Sequence, residues 1–526
     1  MEGAYDMKFQ KHDTTYFAIL FFIILVSCVS AEQTSKNIPL SQIQLLRKVC
    51  ENNFEIRYQK YDLKIAAEQV KKETAIFEPN LSASFNYKDS VTPNTAEEFF
   101  DRMFKEKFEE RLKQYQLGLK GLLPAGTVLS LDYTIDDISN TLVDEKPEYQ
   151  KQGIHSETSS YLGFQITQPL LKNRGSQSTM AKIRIAQTAQ NIAYQAFRKN
   201  VMDIVHNALN AYWELYYTTR QYEFYANSVK VAEDLLQTYT LMFQAGKVAE
   251  NELFEIKSGL ALRQSLLSAA LQKKIDSQNT ILKLLGLSRK GDTIEHIIIL
   301  DTPESYRNFK EPVYQDVLDQ ALLNNPRYLS SKDNLKKQRI HSQYSQNQNL
   351  PDLNVKASFG VNSLDTHGEK FLENIWNDND ETWSVGLEFI LPLQGGIDSQ
   401  SELRMAHLRE KQAQITIKSI QLDLENQVDT SIQHLKNSVQ QLERHNENLR
   451  LKQKIMDIEM SRLEGGKSNI INVMEKEKNL NQARNGHLRA IINLELSGVA
   501  LSRVEGTLLK RFGVDIEKNV DDDVIQ

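Results

Sequence analysis

A chain that repeats itself at about half its length is committed to internal pseudo-symmetry, each copy burying its apolar face against the other. In this chain of 526 residues, Asn53 and Pro79 map onto Asn325 and Pro351 without a gap. Gly163 to Leu170 (GFQITQPL) maps onto Gly386 to Leu393 (GLEFILPL). Ser176-Gln177-Ser178 and Ser399-Gln400-Ser401 follow at the same offset. Ala245 to Ile256 maps onto Gly465 to Lys476. The expected order in each copy is helix, strands, very long helix, Gly turn, helix. The first copy covers 32–287, the second 316–510, with an equatorial segment at 288–315 between them.

Only 11 Pro and 22 Gly leave room for long uninterrupted elements. The net charge of -6 gives no support for nucleic-acid binding. A mean hydropathy of -0.48 is too low for a bundle of membrane helices.

Residues 1–31 read as a signal peptide: Lys8 and Lys11 precede an apolar run, Phe17 to Val26, too short to span a bilayer. Glu2 and Asp6 suit such a segment poorly, so Met7 is an alternative start. Two cleavage readings stand open. Val29-Ser30-Ala31 fits an ordinary site before Glu32; Leu25-Val26-Ser27-Cys28 fits a lipobox, with Cys28 the lipidated residue. Cys50 has no clear partner, and no disulfide framework or metal spacing exists. Residues 511–526 read as an acidic, disordered tail.

Four segments alternate apolar and polar residues. They hold Leu81 to Tyr87, Leu162 to Ile166, Leu353 to Val361 and Trp383 to Phe389. Strands of roughly ten residues with one apolar face suit lipid on one side and water on the other; an ordinary antiparallel sheet over a core is the other reading. The first copy has an insertion, about 91–157, that the second lacks. It holds a charged stretch expected as helix, Ala96 to Lys113, and a hairpin turning at Pro124-Ala125-Gly126.

From Ser176 to Ala245 there is no Pro or Gly, so about 70 residues make a rod of roughly 105 Å. Val201, Ile204, Ala208, Ala211 and Leu215 step along it by three and four. Ser399 to Glu464 does the same through Ile417, Ile420, Leu424, Val428, Ile432 and Leu435. Such stripes need partner helices. Shorter helices, about Phe54 to Phe77 and Asn251 to Leu285, can stack end to end beside the first rod. The helices alone also fit a periplasmic structural coiled coil, which leaves the strands unexplained.

The duplicated order, with Pro79-Asn80-Leu81, Gln168-Pro169-Leu170-Leu171, Leu391-Pro392-Leu393 and two Gly-Lys turns, resembles the TolC-type outer-membrane efflux family over essentially the whole mature chain. The resemblance implies a mainly α fold with a transmembrane β-barrel portion: a homotrimer whose four strands per chain close one barrel in outer-membrane lipid and whose helices continue it as a periplasmic α-barrel. The insertion departs from that pattern and leaves the strand count open between four and six. Pro169 and Pro392 then mark the barrel-to-helix corners. The turns Ala245, Gly246, Lys247 and Gly465, Gly466, Lys467 are expected at the periplasmic entrance, docking an adaptor protein. Beyond them, Glu252, Glu255 and Glu475 match an acidic gating pattern that Asn472 breaks. Each of these glycines and acids also has a plainer reading, as a turn former or a solvated charge. The implied function is a passive exit duct for efflux or type I secretion, energised by an inner-membrane pump, proton-driven or ATP-driven. No catalytic constellation or cofactor site is legible.

Overall fold

The computed structural model describes residues 36–102, 104–289, 294–303, 311–365, 380–393 and 396–515. Cys28 and both cleavage readings lie outside them.

The chain opens with β1 (Lys36–Leu40), α1 (Gln42–Asn52), α2 (Phe54–Thr74) and β2 (Asn80–Pro93). Then come β3 (Lys107–Leu122), β4 (Val128–Asn140), β5 (Glu157–Pro169), the rod α3 (Ala181–Gln244) and α4 (Glu250–Leu284). After β6 (Ile294–Ile299) the plan recurs as α5 (Tyr314–Asn324), α6 (Pro326–Gln348), β7 (Asp352–Asp365) and β8 (Glu381–Ile390). The second rod, α7 (Ile397–Glu464), and α8 (Ile470–Glu505) complete it. The rods have 64 and 68 residues, close to 100 Å each at about 1.5 Å per residue.

The helices form four columns. α2 and α4 lie end to end on one side of α3; α6 and α8 lie end to end between α3 and α7. The duplicated asparagines make these joints. Asn53 caps α2 by accepting from the Glu55 and Ile56 amides, while its Nδ2 donates to Leu284 O at 3.0 Å. Asn325 accepts from the Arg327 and Tyr328 amides and donates to Val504 O at 3.0 Å. One side chain thus caps the helix it begins and satisfies a carbonyl of the helix that ends there. Gly286 and Gly506, both at positive φ, let the backbones meet; a Cβ on Gly506 would stand 2.4 Å from Asn324 O.

The main core lies at the equator. Phe197, Val201, Val205, Leu209, Tyr212 and Trp213 of α3 pack there with Leu45 of α1 and Ile492 of α8. β1 and β6 pair in parallel over it. That small sheet was not legible in the sequence reading. The Tyr212 hydroxyl donates to Asp301 Oδ2 at 2.8 Å, tying this segment to α3.

One six-stranded antiparallel sheet holds the rest, in the order β2-β3-β4-β5-β7-β8. The inserted hairpin therefore adds two strands, and this sheet has six among the described residues, where the simplest family pattern has four. Two further expectations are corrected. Helix in Ala96 to Lys113 is confined to Ala96–Asp101; Lys107–Leu122 is strand, its charges paired across the ladder as Arg111–Asp89 at 3.5 Å and Lys113–Asp137 at 3.1 Å. Within the segment expected as tail, Phe512 and Val514 pack against the equatorial core, and residues 516–526 lie outside the described residues.

Register puts the apolar residues on one face. Phe85 stands opposite Tyr115, then Ile135, Ser160 and Ser363 along the sheet. Two same-face steps nearer the helices, the row is Leu81, Leu119, Leu131, Phe164, Phe359 and Trp383. The other face carries Ser84, Gln116, Thr134, Tyr161 and Asn362. No helix among the described residues is long and apolar enough to cross a membrane.

Candidate functional site

At the end of the rods farthest from the sheet, each rod reverses through the same turn. In the first, Gly246 N donates to Phe243 O (2.9 Å) and Lys247 N to Met242 O (2.9 Å). In the second, Gly466 N donates to Leu463 O (3.0 Å) and Lys467 N to Arg462 O (2.8 Å). Gly246 has φ +69 and Gly466 φ +68, the left-handed closure that favours glycine. Ala245, Gly246, Lys247, Gly465, Gly466 and Lys467 are all exposed. A small core of Ile256, Ile470 and Val473, with Leu235, Tyr239 and Leu463 against it, holds the two turns side by side.

The acids beyond the turns differ in setting. Glu252 is half-buried in the first turn of α4, near Tyr239. Burial, with Glu252 beside it, raises the Tyr239 pKa. Glu255 is exposed one helical turn further on. Glu475 is exposed and lies 3.4 Å from Lys476 Nζ. Asn472 donates its amide to the cap Asn469 and its Nδ2 to Ser468 Oγ at 3.4 Å.

The sequence reading missed two polar networks here. Glu459, buried on α7, accepts from Ser468 and pairs with Arg462 at 3.3 Å. It occupies the place of Tyr239 in the first copy, so the acid missing at Asn472 reappears on the preceding helix. Between the copies, Arg263 of α4 donates to Glu477 of α8 at 2.7 Å and to Ser228 of α3 at 3.0 Å. Both signals lie outside any motif; the first needs the copies aligned along the rods, the second needs the packing.

The corners lie at the opposite end of the rods. Pro169 is the last residue of β5 and is buried; Pro392 follows β8 and is exposed. Asn347 of α6 pins the first corner, accepting from Asn173 N (2.8 Å) and Ser178 Oγ (2.7 Å). The hairpin turn between β3 and β4 reaches the same corner, where Gly175 N donates to Ala125 O at 3.0 Å. Among the described residues no three His, Cys, Asp or Glu side chains are grouped to hold a metal ion.

Rods that continue an apolar-faced sheet define the architecture of an outer-membrane channel, and comparison with known proteins agrees. The Campylobacter jejuni CmeC outer membrane channel has a similar structure, with TM-score 0.65, 13% identity, and 91% of this chain and 89% of that one covered. So does the Vibrio cholerae outer membrane protein VceC, at 0.60 and 13%, covering 88% and 96%. A Pseudomonas aeruginosa membrane protein matches at 0.62 and 13%, covering 89% and 91%. No curated protein sequence matches the chain. Residues 45–287 and 317–507 match the outer membrane efflux protein family, and the chain belongs to it. It is thus a channel-family protein of the Gram-negative outer membrane, with its helices extending into the periplasm.

Proposed function

We propose that the chain forms a homotrimeric exit duct that works passively, docking a periplasmic adaptor at its tip and drawing energy from an inner-membrane pump. The observation that carries this reading is that both lateral edges of the chain are left open in the same way. On one edge, Phe54, Tyr58, Tyr61 and Ile65 form a stripe along α2, each at least 63% exposed, and β2 continues it with an unpaired strand edge. On the other, Leu408, Ile415 and Leu422 run along α7 at heptad spacing, each at least 60% exposed, next to the open edge of β8. Backbone groups unpaired in lipid cost several kcal/mol each, so the edges must close on something. β2 runs away from the helices and β8 runs back toward them, so β8 of one copy pairs antiparallel with β2 of the next. A cyclic ring of copies satisfies strands and stripes together.

The two exposed turns at the far end support adaptor docking, since glycine admits a partner backbone closely. The acids just inside support a cation-favouring entrance. A periplasmic structural coiled coil leaves the apolar face of six strands in water. The test is fractionation followed by planar-bilayer recording. We expect a heat-modifiable trimer in the outer membrane with small, cation-selective conductance. A protein recovered as soluble periplasmic monomer refutes the reading.

A further inference from the structure

We infer that the barrel of this protein closes with eighteen strands, so that its outer mouth is about half as wide again as a twelve-strand barrel on the same helical tunnel. The inference rests on the trimeric reading above and goes beyond the four strands per chain that the resemblance implied. It stands on the hairpin β3–β4 being part of the wall.

Three observations put it there. First, the ladder is unbroken: β2 pairs with β3 from Asn80↔Lys120 to Pro93↔Lys107, and β4 pairs with β5 from Val128↔Thr167 to Ile138↔Glu157. β2 and β5 touch only through the hairpin. Second, the hairpin carries the same two faces as its neighbours. Tyr115, Leu117, Leu119 and Leu131 extend the apolar row, each at least 43% exposed, and Gln114, Gln116, Asp132 and Thr134 extend the polar one. A hairpin standing in water outside the wall has no use for that apolar face. Third, its strands are the right length and at the right height. They have 16 and 13 residues against 14 and 13 for β2 and β5. Their turn, at Leu123 to Thr127, sits level with Pro169. The rim of charge, Asp89, Arg111, Lys113 and Asp137, also runs level across β2, β3 and β4.

The helical part does not widen to match. The hairpin adds no helix to the rods: β4 is followed only by two short helices, Thr141–Glu145 and Pro147–Gln152, at the outer end of the sheet. Its turn rests on the first corner at Gly126, which has φ +89 and where a Cβ would stand 2.4 Å from Asn173 O. Each copy therefore contributes four helical columns and six strands. The result is a funnel: the tunnel keeps its bore while the exit opens out, so the outer mouth is not where cargo is sized.

Strands about 4.8 Å apart and tilted about 40° give a wall radius of about 18 Å for eighteen strands and about 12 Å for twelve. Points related by the three-fold axis are then about 31 Å or about 21 Å apart. The experiment places a spin label at Ser84→Cys on β2, and separately at Ser358→Cys on β7, in the full chain in detergent. Pulsed dipolar spectroscopy reads both the separation and the number of spins per particle. Burial raises the Cys50 thiol pKa to about 11, so it takes up little label, and the unsubstituted chain gives the background. Both labels face the lumen, which shortens either distance alike and leaves the difference of about 10 Å intact. Three spins near the longer distance at both sites bear the inference out. Three spins near the shorter distance overturn it and leave the trimer standing. Any other spin count overturns the trimer and the inference together.

Discussion

Replacing Gly246 and Gly466 with Leu tests whether the turns dock a partner, provided the fold survives the change. Both residues are left-handed, so a side chain costs about 1–2 kcal/mol at each. Nothing lies within 4 Å of a Cβ built at either position, so no clash adds to that cost. The strain falls on exposed helix ends, where fraying absorbs it. Gly506 is the contrasting case. It is equally left-handed at φ +76, but its Cβ would meet Asn324 O at 2.4 Å, Asn324 C at 2.5 Å and Asn325 N at 2.8 Å, all backbone. The joint between α8 and α6 would have to open. We expect the double Leu variant to give normal heat-modifiable trimer and normal bilayer conductance, with export in cells lost. Gly246→Asn and Gly466→Asn, which tolerate left-handed backbone, should retain more export. Gly506→Ala should lose most of its trimer. If the double Leu variant loses trimer as badly as Gly506→Ala, the accounting of strain is wrong. If its export is normal, the turns are not the docking surface.

Asn53→Ala and Asn325→Ala each remove a cap worth about 1 kcal/mol and strip a carbonyl of its donor, so each should cost about 2–3 kcal/mol; equal small losses, seen by thermal melting of the trimer, would argue against the joint. His487 and His206 both have lowered pKa values, His487 from burial and then His445, His206 from burial and then Arg503. The unfolded chain takes up these protons near the ordinary 6.5 and the folded one only below it, so stability is full above that pH and falls as pH drops through it. The double Gln variant should melt with a flatter pH profile. Phe359→Arg, on the apolar face, should lower membrane assembly by about 2–4 kcal/mol while Ser358→Arg, facing the lumen, is tolerated. Equal effects at the two positions would contradict the assigned faces.

The duplication made most of the fold legible because it marks what must be equivalent: Asn53 with Asn325, Pro169 with Pro392, Gly246 with Gly466. Apolar stepping also gave the right buried positions on the rods, including Leu424, Val428, Ile432 and Leu435. Local pattern failed where partners across the chain decide. The stretch at Lys107 to Lys113 reads as helix by composition, yet Asp89 and Asp137 on neighbouring strands take its charges. β1 and β6 were missed because the short segments KNIPL at 36–40 and IEHIII at 294–299 show no period-2 alternation and give no sign of pairing across more than 250 residues. At the far end, the reversal of each rod at its Gly-Lys turn was readable, and the pairing of Glu459 with Arg462 was not.

Those electrostatics lead to a prediction about which copy controls the entrance. Both copies keep acids near the turn, but the second copy neutralises its own. Glu459 is buried and paired with Arg462, and Glu475 lies beside Lys476. Among the described residues, Glu252 and Glu255 have no cationic partner in the chain. A paired acid projects a weaker field than a lone one, and salt confines either to about 8–10 Å. The Glu475 pair is exposed, so its neutralisation is partial. The pseudo-symmetry of the backbone is thus broken in charge, and in the proposed trimer a ring at the entrance would draw mainly on the first copy. Replacing Glu252 and Glu255 by Gln should move the reversal potential in a salt gradient toward zero. Glu475→Gln should move it much less, and Lys476→Gln should move it the other way by freeing Glu475. A Glu475→Gln shift as large as that of the double variant would show that the two copies contribute equally and that the Lys476 contact does not screen the pore.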